Sequence, residues 1–438
     1  MPIAAETNER TSCHPYSLRL AAGIGAIALG LLPSAPASAF SPDEFFEPTP
    51  RATGEAGLCP TGGQGFSATF SNPAFLAIET GNKVTGSANT FFRAKTKITF
   101  NGQQDAKFEI GTSSFSGSLG GTGKFDRYFA DSKLNPTIGY GIYTPTSIEQ
   151  NESRTILANN AEFSDNVSVR AKANLVDHKA GLGMGVALTN DFLLGLSLVG
   201  SRAEFSQITS AINENESLSN KNKEYSSSLD RRSGTDYRAG AVIGLGLIIV
   251  PGLVAGVSGE LTLPVSYSYT REVDEIEVLT DAQGKPLPET DSSGENKPLR
   301  KQTRETDQTA SIRNSPQKIR AGVAMDLNSI QLVVNVHFRS DFVTQRSVTT
   351  RWEIDPHLIL RLVPDPNGYR FSLGIRRTGR ASSDTFQFWE FAAGATHEIS
   401  EESEIAYGVR YLYGKKEDRN STTVNSGILM SVGLSSRI

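Results

Sequence analysis

Apolar residues alternate with small or polar residues over most of the chain. In residues 182–188 leucine, methionine and valine alternate with glycine and alanine, and the same two-residue period recurs in 257–269 and 330–338. A strand sends successive side chains to opposite faces, so this period predicts β-strands, whereas a helix would scatter the same residues around its circumference. The chain is therefore expected to be all-β.

The lengths of the connections favour a membrane barrel over a soluble sandwich. Outer-membrane barrels join strands by short turns on the periplasmic side and by longer loops outside. The joins predicted here alternate in this way, since 189–191 and 250–252 are short, 207–235 is long and polar, and 271–316 is very long. We predict a transmembrane outer-membrane β-barrel of about 14 antiparallel strands, at residues 83–100, 105–117, 134–144, 166–188, 192–206, 236–249, 253–271, 317–326, 329–340, 351–363, 369–379, 386–398, 404–414 and 424–438.

The fourth of these strands is irregular. Its apolar positions change parity between Leu175 and Leu182. A β-bulge inserts one extra residue and so exchanges the two faces of a strand. We therefore expect a bulge inside this strand.

The first 39 residues have the pattern of a cleavable signal peptide. An uninterrupted apolar or small-residue run from Leu20 to Leu32 follows Arg19 and precedes a small-residue site, which predicts cleavage between Ala39 and Phe40. The run is too short to span a bilayer comfortably, so an uncleaved anchor is the weaker alternative. Cleavage would remove Cys13 and leave Cys59 without a partner for a disulfide.

Residues 40–82 alternate poorly and are rich in glycine, proline and serine. A barrel of 14 strands has a lumen too wide for its own side chains to fill, and such lumens are either open or plugged. We expect residues 40–82 to form an N-terminal plug, or hatch, inside a barrel of residues 83–438. A disordered periplasmic tail is the alternative.

Charge and local motifs give no sign of catalysis. The formal net charge of −4 does not suggest a nucleic-acid partner. Ser340 near His337 is a weak nucleophile–base pair, and a hydrogen-bond network in the lumen explains His337 better. Residues 272–307 are acidic but lack the regular spacing of a calcium loop. No enzyme activity, catalytic residue, metal or cofactor is expected.

Three segments resemble a known family. Residues 65–77 contain Asn72-Pro73-Ala74 after a run of small residues, residues 138–145 form a glycine-rich strand ending in proline, and residues 315–322 begin a strand after a long loop. Together they resemble the outer-membrane transporters for long-chain fatty acids and aromatic hydrocarbons, the FadL/TodX type. The C-terminal residue, Ile438, departs from the aromatic residue that usually ends such barrels.

The resemblance implies a plugged barrel of 14 strands that binds a hydrophobic ligand from outside and releases it through an opening in the wall near a kinked third strand. Asn72, Pro73 and Ala74 would then be hatch positions. Gly139 and Gly141 would mark the strand kink, although glycines in a barrel can also simply ease packing.

The expected function is passive uptake of hydrophobic small molecules, such as long-chain fatty acids or hydrocarbons, by a monomer in the outer membrane. Outer-membrane lipid and the barrel assembly machinery are the other expected partners. A general diffusion porin is one alternative, and a structural or adhesive barrel that binds through 207–235 and 271–316 is another.

Overall fold

The computed structural model describes residues 46–61, 65–79, 81–100, 110–125, 136–159, 163–217, 223–280, 299–307, 317–340, 352–362, 368–378, 387–418 and 421–438. Two short helices, α1 (Pro50–Gly54) and α2 (Ala68–Ser71), and a 3-10 helix (Pro73–Ile78) precede the strands. The described part of the chain contains no helix long and apolar enough to cross a membrane. The strands are β1 (Lys83–Phe100), β2 (Ile110–Lys124), β3 (Thr137–Asn159), β4 (Phe163–Ala187), β5 (Phe192–Ser217), β6 (Lys223–Val250), β7 (Leu253–Thr280), β8 (Leu299–Asp307), β9 (Lys318–Leu327), β10 (Ile330–Ser340), β11 (Trp352–Leu362), β12 (Tyr369–Thr378), β13 (Gln387–Glu398), β14 (Ser403–Asp418) and β15 (Ser421–Arg437).

The strands form one closed antiparallel barrel. Sequential strands pair with one another, and β1 pairs with β15 to close the ring. Strand β9 pairs with the first half of β7, and β8 pairs with the second half of β7. They therefore occupy one position in the wall, and the barrel has the 14 positions that the sequence predicts. The register of the last strand places Gly86 opposite Leu434.

The two faces of the wall differ in polarity. Charged and polar side chains point inward and are buried, whereas apolar side chains point outward and are exposed. Soluble proteins rarely expose so continuous an apolar surface, so the outer face meets lipid, as in outer-membrane barrels. The outward set includes Leu182, Leu198, Ile243, Leu261, Val334, Leu373, Val409 and Leu434, and the inward set includes Glu260, Arg320, Asn335, His357, Arg361, Arg376, Glu390 and Arg410.

Several strands extend further than predicted. The predicted loop at 207–235 is wrong over 207–217 and 223–235, because β5 and β6 pair continuously to Glu216 and Lys223. The predicted loop at 271–316 is wrong over 271–280 and 299–307, which form paired parts of β7 and β8. Because these segments extend beyond the span of a bilayer, their outward side chains need not be apolar, and the apolar alternation is lost. With 28 residues, β6 is about 90 Å long at about 3.3 Å per residue, far beyond a membrane span.

The irregularity predicted for the fourth strand lies in its neighbour. Strand β4 pairs with β5 from Phe163 to Ala187 without a shift of register. The shift occurs in β3, between Tyr143 and Thr146. The third strand was predicted to end at residue 144 because Pro145 follows, but it continues to Asn159. A proline inside a strand is compatible with a bulge, since its missing N–H falls where the ladder is already interrupted.

Candidate functional site

Residues 46–79 lie in the lumen and contact the wall on opposite sides. Helix α1 packs against β12–β15, and the 3-10 helix packs against β3–β6. Inward glycines allow this approach, because a Cβ at any of several positions would clash with the backbone of the segment. These glycines include Gly185, Gly195, Gly256, Gly374 and Gly408. We call residues 46–79 the lumen segment.

The predicted hatch residues lie at its tightest contact with the wall. Asn72 Oδ1 accepts a hydrogen bond of 3.2 Å from Ala74 N and so caps the 3-10 helix. Its Nδ2 donates to Pro60 O at 2.9 Å and to Leu245 O of β6 at 3.0 Å. A Cβ at Gly195 would clash with the Pro73–Ala74 backbone. The amide of Asn72 therefore joins two parts of the lumen segment to the barrel.

Glu55 anchors the segment to β11. Arg361 donates to both carboxylate oxygens at 2.8 Å, and Arg51 donates to Oε1 at 3.1 Å. The Nε2 of His357 donates to the carbonyl of Glu55. Burial acts to raise the pKa of Glu55, but the guanidinium groups of Arg361 and Arg51 outweigh burial and lower the pKa to about 2. Glu55 is therefore an ionised, fully paired contact.

A second charged cluster lies against the start of the segment. Arg410 donates to Glu47 at 3.2 Å and lies 3.2 Å from Glu390, which also accepts from Arg376. Burial raises the pKa of Glu47, and the guanidinium groups of Arg410 and Arg376 oppose that effect only in part. The carboxylate of Glu47 is therefore held less firmly in its ionised form than that of Glu55.

The wall is interrupted between β2 and β3. Ser113 pairs with Glu149 and Ser118 pairs with Tyr143, but residues 114–117 of β2 and 144–148 of β3 are not paired with each other. The lumen segment reaches this seam, because Phe46 N donates to Pro145 O at 2.9 Å. The rings of Phe70 and Tyr143 also meet edge to face, with centroids 4.9 Å apart. Among the described residues, the lumen segment thus lies against the inner side of the seam, and a hydrogen bond of 2.6 Å from Ser116 Oγ to Thr144 O also crosses the seam.

A cavity of about 850 Å³ occupies the seam. Its lining combines inward side chains, such as Ser118 and Lys179, with outward ones, such as Leu119 and Ile142. The cavity is therefore lined by residues of both faces of the wall beside the seam. An apolar outer groove of about 590 Å³ adjoins it and shares Leu119, Ile142 and Gly200.

The strand kink expected at Gly139 and Gly141 stays a prediction. Both glycines pair regularly with β2 and β4. The irregularity begins after Tyr143. A Cβ at Gly139 would meet Thr69 and Leu76, and a Cβ at Gly141 would meet Phe66. These two glycines therefore make room for the lumen segment, which is the packing role considered as the alternative.

Several site residues were missed by sequence reasoning. Phe46 and Thr144 were not singled out, and Lys179 was not connected with Glu260, with which it forms a buried ion pair of 2.6 Å. Pro145 was the available signal, since a proline inside a strand favours a bulge. The predicted cleavage site at Ala39 and Phe40 lies outside the described residues.

No family model matches the chain, and no curated protein matches it. Solved structures do share its architecture. The toluene transporter TodX of P. putida matches at a TM-score of 0.59 and 13% identity, covering 90% of this chain and 99% of TodX. The toluene transporter TbuX of Ralstonia pickettii matches at 0.55 and 12% over 90% of this chain and 99% of TbuX. A Pseudomonas aeruginosa FadL homologue matches at 0.53 and 10%, covering 89% of this chain and 98% of its own. The chain therefore has the barrel fold of the FadL/TodX type.

Proposed function

We propose that the protein carries small hydrophobic compounds passively across the outer membrane and releases them sideways through the β2–β3 seam. The observation that carries the proposal is the cavity at the β2–β3 seam, next to the lumen segment. A hydrophobic solute that leaves a barrel through its wall enters lipid and avoids the water below. The two toluene transporters and the FadL homologue share the fold, which agrees with this class of solute.

In this proposal the lumen segment is the hatch. It blocks the axial path for ions and water, and its Asn72-Pro73-Ala74 contact holds it against β5 and β6. The solute would enter from the outer end, displace part of the segment near Phe46 and reach the seam. We further propose that the barrel acts as a monomer, is inserted by the barrel assembly machinery, and contacts outer-membrane lipid around its circumference.

A general diffusion porin is the main rival. An open porin has a water-filled lumen, whereas residues 46–79 here are largely buried between opposite walls. The adhesive alternative rests on the long hairpins of β5–β8. Shortening these hairpins without loss of uptake would remove that alternative.

Deletion of residues 46–79 tests the proposal. Outer-membrane vesicles with the intact protein or the deletion variant are compared for uptake of a labelled long-chain fatty acid and a labelled aromatic hydrocarbon, and for ion conductance. We expect saturable uptake of a hydrophobic compound with little conductance in the intact protein, and large conductance after deletion. High conductance in both would support a porin, and uptake of neither compound would contradict hydrophobic transport.

A further inference from the structure

We propose that the seam cavity selects uncharged hydrophobic compounds and rejects carboxylates, because the cationic side chains at the cavity are already bound to carboxylates of the protein. This inference rests on the proposed transport function and narrows its substrate class. Among the described residues, the cationic side chains of the cavity lining are Lys179, Arg202 and Arg238.

Lys179 is bound on the inner side of the seam. Its Nζ donates to Glu260 Oε1 at 2.6 Å, and Arg320 donates to the other oxygen of Glu260 at 2.7 Å. The side chains of Lys179 and Glu260 are 7% and 2% exposed. The two oxygens of the buried Glu260 bind two cations, Lys179 and Arg320. A ligand carboxylate would therefore have to compete with Glu260 for Lys179.

The other two cations are also bound. Arg238 forms a buried ion pair of 2.8 Å with Asp236. Arg202 is paired with Glu204, and its guanidinium group lies 5.7 Å from the centre of the Tyr237 ring. Each of the three lining cations therefore already has a carboxylate partner within the protein.

Three hydroxyl groups of the lining are likewise engaged by the protein. Ser118 donates to Pro48 O at 2.5 Å and lies 2.7 Å from the hydroxyl of Ser87. Thr144 Oγ1 lies 3.1 Å from His178 Nδ1. A carboxylate that entered the cavity would lose its water without gaining a matching charge, which is strongly unfavourable.

The apolar part of the lining suits a neutral molecule. Leu119, Ile142 and Tyr237 supply exposed apolar surface, and Tyr143 supplies a buried ring. A volume of about 850 Å³ lies within the range of small-molecule sites. A neutral compound with a hydrocarbon chain or ring gains apolar contacts there without breaking any ion pair.

The test compares two compounds with the same carbon chain, decanol and decanoate, labelled and supplied at pH 8 to outer-membrane vesicles that contain the full chain. Vesicles without the protein give the background. We expect protein-dependent uptake of decanol, and decanoate uptake near background. Protein-dependent uptake of decanoate equal to that of decanol overturns the inference and leaves hydrophobic transport intact. Uptake of neither compound contradicts both.

Two variants extend the test, because each removes a carboxylate partner of a lining cation. Glu260→Gln leaves Lys179 and Arg320 without their carboxylate, and Asp236→Asn does the same for Arg238. Each is expected to raise decanoate uptake about tenfold, the factor that one hydrogen bond to a charged group provides. If Glu260→Gln does not fold, Asp236→Asn decides the outcome.

Asp230→Asn is the matched control. Asp230 is also a carboxylate of β6 paired with arginines, Arg232 and Arg271, but these arginines do not line the cavity. We expect its decanoate uptake to remain at the level of the unaltered protein. A folded Asp236→Asn variant with no gain over Asp230→Asn would overturn the inference, as would an equal gain in both. Heat-modifiable gel mobility verifies that each variant is folded.

Discussion

Replacing Glu55 by glutamine should loosen the lumen segment. The substitution keeps the size of the side chain and removes the charge that binds Arg361 through two hydrogen bonds of 2.8 Å. Arg361 is then left as a buried cation, since its side chain is 10% exposed. Removing one partner of a buried ion pair typically costs about 3–5 kcal/mol.

The pKa of Glu55 gives a similar magnitude. A shift from 4.5 to about 2 corresponds to roughly 3 kcal/mol of preference for the ionised form in the docked segment. At about 1.4 kcal/mol for each factor of ten, the loss should raise the population of undocked segment about a hundredfold. Amide hydrogens of α1 that exchange only when the segment is undocked should therefore exchange faster by the same factor.

The assay is hydrogen exchange of the residue 50–57 peptide by mass spectrometry, with ion conductance recorded on the same preparation. Glu398→Gln is the matched control, because Glu398 also pairs with an arginine, Arg370, but both side chains are more than 40% exposed. Such a surface pair is worth about 0–1 kcal/mol. Equal exchange in Glu55→Gln and Glu398→Gln would refute the view that Glu55 anchors the segment.

Three further predictions concern the same segment. Gly195→Val should displace the Pro73–Ala74 backbone, with which even a Cβ would clash, and should raise conductance, whereas Gly259→Val has nothing within 4 Å of its Cβ and should leave conductance unchanged. Asn72→Ala removes the hydrogen bonds that Asn72 donates to Leu245 O of β6 and to Pro60 O within the segment, and protease cleavage between residues 61 and 79 should become faster. The pKa of Glu55 is lowered in the docked segment, so its ion pair stabilises docking above about pH 4.5 and is lost as the pH falls toward 2. The difference in hydrogen-exchange rate between the unaltered protein and Glu55→Gln should therefore be largest above about pH 4.5 and decrease toward pH 2. A difference that persists unchanged to pH 2 would contradict the assignment.

The membrane-spanning part of the fold could be predicted from the sequence because lipid imposes a pattern on it. In residues 182–188 every second side chain meets lipid, so the alternation is strict. The outer halves of β5–β7 follow no such rule, since they extend beyond a bilayer span and backbone pairing continues the strands there without apolar alternation. Their polar residues were therefore mistaken for loops.

The site was less predictable because its contacts join distant parts of the chain. Asn72 was singled out by its motif, but its bonds to β6 depend on the closed barrel. The pairing of Glu55 with Arg361 spans 306 residues, and no local pattern encodes it. The position of the seam could have been predicted from Pro145, because a proline inside a strand favours a bulge and β3 continues beyond it.

Filling the seam cavity from its lipid side tests the central claim most directly. Gly200 lines both the cavity and the outer groove, and a Cβ there makes an ordinary contact of 3.7 Å, so Gly200→Phe adds a ring without a backbone clash. Uptake of a neutral hydrophobic compound by vesicles is compared with that of Gly259→Phe, an outward position away from the cavity. We predict that Gly200→Phe reduces uptake to the protein-free level without changing conductance. Equal uptake in the two variants would contradict passage through the wall.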